Sequence, residues 1–154
     1  MMKENLKIKE ELYNKCLEFV NNRFQTVQNT IIEIQESLQS ETKSSAGDKH
    51  ETGRAMLQLE REKAGHQLAE IEKTKAILNK VNIAANHNSV ALGSVVFTSQ
   101  FNYFIAISAG ELHVNSNKFF AISAATPIAK LLISKASGEE IVFRNTTIII
   151  TKIL

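Results

Sequence analysis

The sequence predicts an α+β protein in which a long antiparallel helical hairpin precedes a small, mostly antiparallel sheet with one short helix. Composition divides the chain. Residues 1–88 carry 13 basic and 13 acidic side chains, whereas residues 89–154 carry 5 and 3 and are rich in β-branched residues, Phe and Ser. The spacing of apolar residues supports the same division. In the first part they recur every three or four positions, as in helices, and in the second part they form short runs bounded by turn residues, as in strands. We therefore expect domains at 1–85 and 86–154.

The first half predicts two helices that pack as a coiled coil. Neither Pro nor Gly interrupts residues 3–45, and a heptad pattern is established from Val20 onward. A short polar connection between helices of similar length makes them antiparallel neighbours, with the tip of the hairpin near residues 44–51. The first apolar stripe comprises Leu12, Cys16, Val20, Phe24, Val27, Ile31, Ile34 and Leu38. The second comprises Leu57, Ala64, Leu68, Ile71 and Leu78, and is widened by Met56, Leu59, Ile77 and Val81.

Two carboxylates mark the predicted tip. Asp48 and Glu51 are three residues apart, which places them on one face if the second helix begins near Asp48. Held at the end of a hairpin, they are suited to delivering negative charge into the cavity of another molecule. An alternative needs no partner, since Asp-x-x-Glu also resembles a capping box, which stabilises a helix start by roughly 1 kcal/mol.

The second half predicts strands separated by turns. The strands are expected at 89–99, 101–108 and 118–123, with a turn at Gly110, and a final hairpin pairs 140–143 with 146–153. Pro127 opens a short helix at 128–133, for which Thr126 is the predicted N-cap. Ser137 and Gly138 are expected to end that segment.

Bulk properties exclude several classes of protein. The net charge of +2 gives no general electrostatic case for nucleic-acid binding. The single cysteine, Cys16, excludes an internal disulfide, and its place on a helical stripe predicts a buried structural thiol. The four histidines, His50, His66, His87 and His113, lack ligand spacing, so exposed or capping roles are favoured over zinc binding. Neither an apolar leader nor a run long enough to span a bilayer is seen, which predicts a cytoplasmic protein with no membrane partner.

Residues 121–143, AISAATPIAKLLISKASGEEIVF, resemble the C-terminal domain of the Gre family of bacterial transcript cleavage factors. The shared order is an apolar strand end with Ser, then Ser/Thr-Pro, a helix start with small and basic residues, a Leu-rich turn, Lys, and Gly/Asp-acidic-x-Val. Residues 90–96, VALGSVV, look like that domain's opening strand. The resemblance implies an FKBP-like fold for this domain.

The first half resembles the same family in plan. Gre factors carry an antiparallel coiled-coil finger whose acidic tip reads Gly-Asp-x-x-Glu-Asn, and residues 47–52 here read GDKHET. Gly47, Asp48 and Glu51 match in identity and spacing. The residues that follow depart from the pattern, because the family continues Asn-Ala-Glu-Tyr where residues 52–55 read TGRA. The basic residues near the tip, Lys43, Lys49 and Arg54, either weaken metal binding or contact an acidic channel wall.

The resemblance implies an accessory factor of RNA polymerase rather than an enzyme. Gre factors insert the finger into the secondary channel of the polymerase, where tip carboxylates help to hold a second Mg²⁺ and position water for cleavage of backtracked RNA. For this chain, the resemblance implies that Asp48 and Glu51 assist the catalysis of the polymerase and share its Mg²⁺. The tip would contact the nascent RNA only indirectly. Mg²⁺ keeps several waters, so one or two external carboxylates suffice, and no ion is expected on the isolated monomer.

Three other functions stay open. A regulator could enter the polymerase channel without promoting cleavage, as the altered residues after Glu51 suggest. A peptidyl-prolyl isomerase is suggested by the FKBP-like fold, but the chain has no Trp, and its C-terminal half offers only Tyr103 and a few Phe for an aromatic pocket. A coiled-coil adaptor would dimerise through uncovered apolar surface.

Overall fold

A computed structural model describes the backbone of residues 2–43 and 48–154 and the side chains of residues 3–40 and 51–154. It confirms the predicted α+β class, with two long helices followed by six strands and one short helix. The elements in chain order are α1 (Met2–Lys43), α2 (Asp48–Asn79), β1 (Val95–Thr98), β2 (Asn102–Ala106), β3 (Gly110–Val114), β4 (Asn117–Ser123), α3 (Pro127–Leu132), β5 (Glu140–Phe143) and β6 (Thr146–Ile153).

Contacts between residues divide the chain into two compact units. One unit consists of Val20–Lys75, and the other joins Met1–Phe19 to Ala76–Leu154. These two units are defined by contacts between residues, and their bounds differ from those of the predicted domains. The division into folding domains at 1–85 and 86–154 therefore stays a prediction.

In the unit Val20–Lys75, α1 and α2 pack through the predicted heptad positions. Ile31, Ile34 and Ala64 form a buried cluster. Its partly buried neighbours are Val27, Leu38, Leu57 and Leu68, all of which belong to the predicted stripes. We call these seven residues the hairpin seam. The small Ala64 side chain, only 2% exposed, allows the larger isoleucines to fill the space between the helices.

The expected widening of the α2 face is wrong for three of its four residues. Met56 and Leu59 are 60% and 66% exposed, and Ile77 is 38% exposed, whereas Val81 is half-buried. Two packed helices bury a single narrow seam, so an apolar residue beside that seam finds nothing to pack against. The periodic pattern identified the correct face but overestimated its width.

The six strands form one mixed sheet in the order β3-β4-β2-β1-β6-β5. Every neighbouring pair is antiparallel except β2 and β4, which run parallel with Phe104 opposite Ala121. The parallel pair arises because β3 lies at the edge, outside β4, and reverses the chain before β4 returns beside β2. The sheet is therefore mostly antiparallel, as predicted.

Strand β3 was not predicted. Gly110, expected at a turn, is the first residue of β3 and has a φ of 77°. Gly110 thus adjoins the reversal between β2 and β3 at 107–109. A second reversal lies at Asn115 and Ser116, whose φ angles of 52° and 67° suit a tight hairpin turn between β3 and β4. Most of β3 is exposed at the sheet edge, so its sequence lacks the apolar signal of a central strand.

Strand β1 is shorter than the predicted strand at 89–99. The segment before it turns at Gly93, which has a φ of 91°, and the buried Ser94 hydroxyl accepts a 2.9 Å hydrogen bond from the Ala91 amide. Ser89 makes only an isolated bridge to Ala136. The turn interrupts pairing, so regular strand structure begins at Val95.

The final segments follow the sequence closely. Pro127 occupies the first turn of α3, and the Thr126 hydroxyl accepts a hydrogen bond from the Ala129 amide at 3.3 Å. The helix ends at Leu132, within one residue of the predicted span 128–133, and Ser137 and Gly138 follow in the connection to β5. Strands β5 and β6 pair around Arg144, with a φ of 50°, and Asn145, with a φ of 64°. One face of the sheet and α3 share a core that contains Val90, Val96, Tyr103, Ile105, Ile128, Ala129, Leu132, Ile141, Ile148 and Ile150.

Candidate functional site

The two predicted tip carboxylates lie in the first turn of α2. The helix begins at Asp48, and Glu51 follows three residues later with an exposed side chain. Residues three apart in a helix share a face, so the backbone places both positions on one side of α2. The Asp48 side chain and the connecting residues 44–47 lie outside the described part of the structure. The capping-box alternative is therefore untested.

The hairpin seam supports the start of α2. Leu57, two turns beyond Glu51 along α2, packs against the cluster that contains Ile31 and Ile34 of α1. This packing fixes the helix whose first turn carries the two carboxylates, and Glu51 itself stays accessible to solvent. A packed helix with an accessible carboxylate in its first turn is suited to presenting negative charge to a partner.

Basic residues accompany the acidic pair in sequence. Arg54 is half-buried and lies one turn beyond Glu51 on α2. Lys43 and Lys49 are the other predicted basic neighbours, and their side chains lie outside the described residues. Along the described backbone, the first turns of α2 thus carry both signs of charge.

Among the described side chains, Glu51 does not belong to a complete metal site. Among side chains of residues 3–40 and 51–154, no group of three or more His, Cys, Asp or Glu is arranged to hold a metal ion. Glu51 supplies oxygen donors of the type that Mg²⁺ prefers, but Mg²⁺ requires six ligands in octahedral geometry. Glu51 by itself therefore fits the magnesium that the resemblance implies only as part of a ligand set.

Two of the three described histidines are exposed, as expected, whereas His87 is half-buried. His66 and His113 are exposed, and His113 lies 3.8 Å from Glu111. His87 is half-buried, and its Nδ1 atom is fully buried with no hydrogen-bond partner among the described residues. Burial lowers the pKa of His87, and the nearby charge of Lys9 lowers it further.

Sequence reasoning missed Lys9, whose side chain is only 3% exposed. Its Nζ atom donates a 2.9 Å hydrogen bond to the backbone carbonyl oxygen of Ala85. A signal was present, because Lys9 precedes Leu12 and Cys16 by three and seven residues and so continues the buried stripe of α1 toward its start. A lysine at a position that the helical period assigns to the core therefore indicates a buried ammonium group that needs a hydrogen-bond partner.

Cys16 has the environment of a structural thiol, as predicted. Its side chain is fully buried, and burial raises its pKa to about 12. A thiol with so high a pKa forms little of the reactive thiolate at neutral pH.

Within the described residues, no helix is both long and apolar enough to cross a membrane.

Comparisons with known proteins give one weak structural likeness. No protein family matches the chain, and no curated protein matches it. Among solved structures, the transcription factor Gfh1 is 17% identical, with 92% of each chain covered and a TM-score of 0.33. That TM-score is too low to establish a shared fold.

Proposed function

We propose that this protein is a transcription elongation factor-like accessory protein that binds RNA polymerase. In this proposal, the end of the α1–α2 hairpin enters the secondary channel of the polymerase and stimulates cleavage of backtracked RNA. The observation that carries the proposal is the exposed Glu51 in the first turn of α2, three residues after Asp48. The Gre-like sequences at residues 47–51 and 121–143 supply the identity of the partner.

The dimensions of the helices support insertion into a channel. Helix α2 has 32 residues, which corresponds to a length of roughly 48 Å at about 1.5 Å per residue. The hairpin seam is narrow, and the residues on the outer faces of both helices are mainly exposed and polar. A thin rod with a polar surface is compatible with a water-filled channel.

The proposed role of Asp48 and Glu51 is to complete the ligand set of a Mg²⁺ ion that the polymerase holds. When bound, that ion would stabilise charge on the oxygens of the phosphoryl group under attack. The carboxylates of this chain would supply oxygen ligands and accept hydrogen bonds from the metal's water molecules. The chemistry belongs to the polymerase, so the protein acts as an accessory factor.

A second candidate function is a regulator that occupies the same channel without promoting cleavage. Residues 52–54, TGR, favour it, because the Gre pattern has a second acidic residue where Arg54 stands. A cation one turn from Glu51 weakens the attraction between the helix end and Mg²⁺. Such a protein would compete for the channel and alter pausing or initiation.

The decisive experiment adds the purified protein to backtracked complexes of the cognate RNA polymerase. The parent protein is expected to release short RNA fragments that carry the 3′ end. The variant with Asp48→Asn and Glu51→Gln keeps the shape of both side chains and removes their charge, so it should bind the polymerase but release no fragments. A matched control, Glu60→Gln with Glu72→Gln, neutralises two exposed carboxylates elsewhere on α2 and should cleave as the parent does.

The outcomes separate the two candidates. Polymerase binding without RNA release by the parent protein supports the non-cleaving regulator. Cleavage that is unaffected by the double substitution at Asp48 and Glu51 overturns the role of the carboxylates. Absence of polymerase binding overturns both candidates, and concentration-dependent dimerisation in light scattering would then favour the adaptor.

A further inference from the structure

A cavity of about 440 Å³ lies within the unit formed by Met1–Phe19 and Ala76–Leu154. The start of α1, the segment after α2 and the end of β6 border it. Its volume is in the range of sites that bind small molecules. The polar residues that line it are Lys3, Asn5, Lys9, Asn86, His87 and Asn88, and we call this space the Lys9 cavity.

The lining has a one-sided charge. Two lysines and a histidine contribute side-chain charge, none of the described lining residues is Asp or Glu, and the lining also includes Leu154, which follows β6. The amides of Asn5, Asn86 and Asn88 provide hydrogen-bond donors as well as acceptors. A concave surface whose described side chains include cations and amide donors, but no carboxylates, favours an anionic occupant.

Lys9 is the strongest feature of the cavity. Its side chain is only 3% exposed, and its ammonium group has three donors, of which one is used by the carbonyl of Ala85. Among the described residues, no carboxylate forms an ion pair with it. A buried charge without a counterion is costly, and an anion bound beside it would remove much of that cost.

His87 adds a second buried polar atom without a partner. Its Nδ1 atom is fully buried and makes no hydrogen bond to any described residue. Buried polar atoms are normally satisfied, so each exception requires an explanation. An acidic ligand group in the cavity would provide a partner for this imidazole, while its negative charge would offset the repulsion between the imidazole and Lys9.

Apolar side chains complete the wall. Leu6, Ile83 and Ile153 line the same cavity as the cations and amides. A bare inorganic ion would leave these surfaces in contact with water, whereas a ligand with a compact apolar part would cover them. Mixed walls of this kind recognise a ligand by one polar group and one apolar body.

We propose that the Lys9 cavity binds a small organic anion, in which a carboxylate or phosphate group contacts Lys9 and a compact apolar part packs on Leu6, Ile83 and Ile153. This site is independent of the proposed action on RNA polymerase. It lies among residues that no part of the acidic-tip argument uses. Carboxylate and phosphate groups share the chemistry that the cavity selects, and the choice between them is left to the measurement.

The test is isothermal titration calorimetry on the full chain at constant ionic strength. Three probes are compared: sodium hexanoate, adenosine monophosphate and inorganic phosphate. One of the two organic anions is expected to bind in a saturable manner and at least about tenfold more tightly than inorganic phosphate, since only it covers the apolar wall. Hexanoate alone identifies a carboxylate ligand, and the nucleotide alone identifies a phosphate ligand.

Variants assign the binding to the cavity. Lys9→Met retains the length of the side chain and removes its charge, so affinity should fall by about tenfold or more. Lys7→Met makes the same change at an exposed position of α1 outside the cavity and should bind as the parent does. Binding that Lys9→Met leaves unchanged, or a parent protein that saturates with neither organic anion, overturns the proposal.

A measurement on the unmodified chain keeps the proposal testable if Lys9→Met does not fold. The imidazole resonances of His87 and His66 are followed by NMR as the pH is varied, with and without saturating ligand. A bound anion should raise the pKa of His87, and the resonances of the exposed His66 should not respond to the ligand. Equal shifts of both histidines, or none, would contradict binding beside His87.

Discussion

The Lys9 ammonium donates a hydrogen bond of 2.9 Å to the backbone carbonyl oxygen of Ala85, which lies 76 residues later in the chain. The bond joins the beginning of α1 to the segment that follows α2. Because Lys9 is only 3% exposed, its charge has lost most of its hydration, and a single neutral acceptor offsets that loss only in part. The charge and the apolar stem of this side chain therefore have opposite effects on stability.

Substitutions at Lys9 should separate those effects. Lys9→Met keeps an unbranched apolar stem and removes the buried charge, so its free energy of unfolding should stay within about 1 kcal/mol of the parent value. Lys9→Ala also removes the stem and should lower the free energy of unfolding by about 2 kcal/mol. Urea titrations monitored by circular dichroism provide the comparison. Equal losses for both variants would show that the ammonium group itself stabilises the fold.

The stability of the protein should decrease as the pH falls below 6.5 because of His87. Burial lowers the pKa of His87 from 6.5, the charge of Lys9 lowers it further, and the nearby backbone of Leu154 partly opposes these effects. The unfolded chain therefore binds the proton at a higher pH than the folded chain does, and protonation favours unfolding. The loss is complete once the pH lies below both pKa values.

Unfolding free energies measured between pH 8 and 5 would check this prediction. His87→Gln should have a shallower dependence on pH than the parent, and Lys9→Met should reduce the dependence because one cause of the shift is gone. Lys3 also lines the cavity and is unchanged in both variants, so its positive charge acts on the cavity equally in all of the proteins compared. His66→Gln, which removes a histidine at an exposed position, serves as the control.

Cys16 should resist thiol reagents for as long as the protein is folded. It is fully buried, and burial raises its pKa from 9.0 to about 12, which reduces the thiolate fraction by about a thousandfold at pH 8. Ellman's reagent should therefore give almost no signal with the native protein and one equivalent in concentrated urea. Rapid and stoichiometric labelling of the native protein would contradict the buried position of this thiol.

The sequence predicted those elements whose signals are local. Pro127 with Thr126 defines the start of α3 through fixed φ and a hydroxyl acceptor, and the turn at Arg144 and Asn145 separates two apolar runs of alternating pattern. The heptad stripes of α1 and α2 identified the hairpin seam, because a helix buries one face at a fixed period. Such signals depend on neighbouring residues alone.

Features that depend on distant residues were harder to predict. Strand β3 is exposed at the sheet edge and pairs only with β4, so its sequence carries little apolar alternation. The burial of Lys9 depends on a segment 76 residues away, represented by Ala85. The exposure of Met56 depends on how little surface two helices cover, which periodicity alone does not measure.

The sequence predicted where Asp48 and Glu51 lie in the fold, but it could not establish what they bind. The Asp-x-x-Glu spacing correctly placed Asp48 and Glu51 within one turn at the start of α2. Their proposed function requires a metal ion and a polymerase surface, neither of which is encoded in this chain. The cavity beside Lys9 gave no motif, since its lining comes from separated segments of the chain.

Two isoleucines of α1, Ile32 and Ile34, differ sharply in burial. Ile34 is 5% exposed within the hairpin seam, whereas Ile32 is 51% exposed. Ile34→Ala should lower the free energy of unfolding of the unit Val20–Lys75 by about 2 to 4 kcal/mol, because it removes buried methyl groups and leaves a cavity against Ala64. Ile32→Ala makes the same chemical change and should cost less than about 0.5 kcal/mol, since Ala is also the better helix former. Thermal unfolding followed at 222 nm would compare the pair, and similar losses for both would mean that α1 does not pack against α2 through the assigned seam.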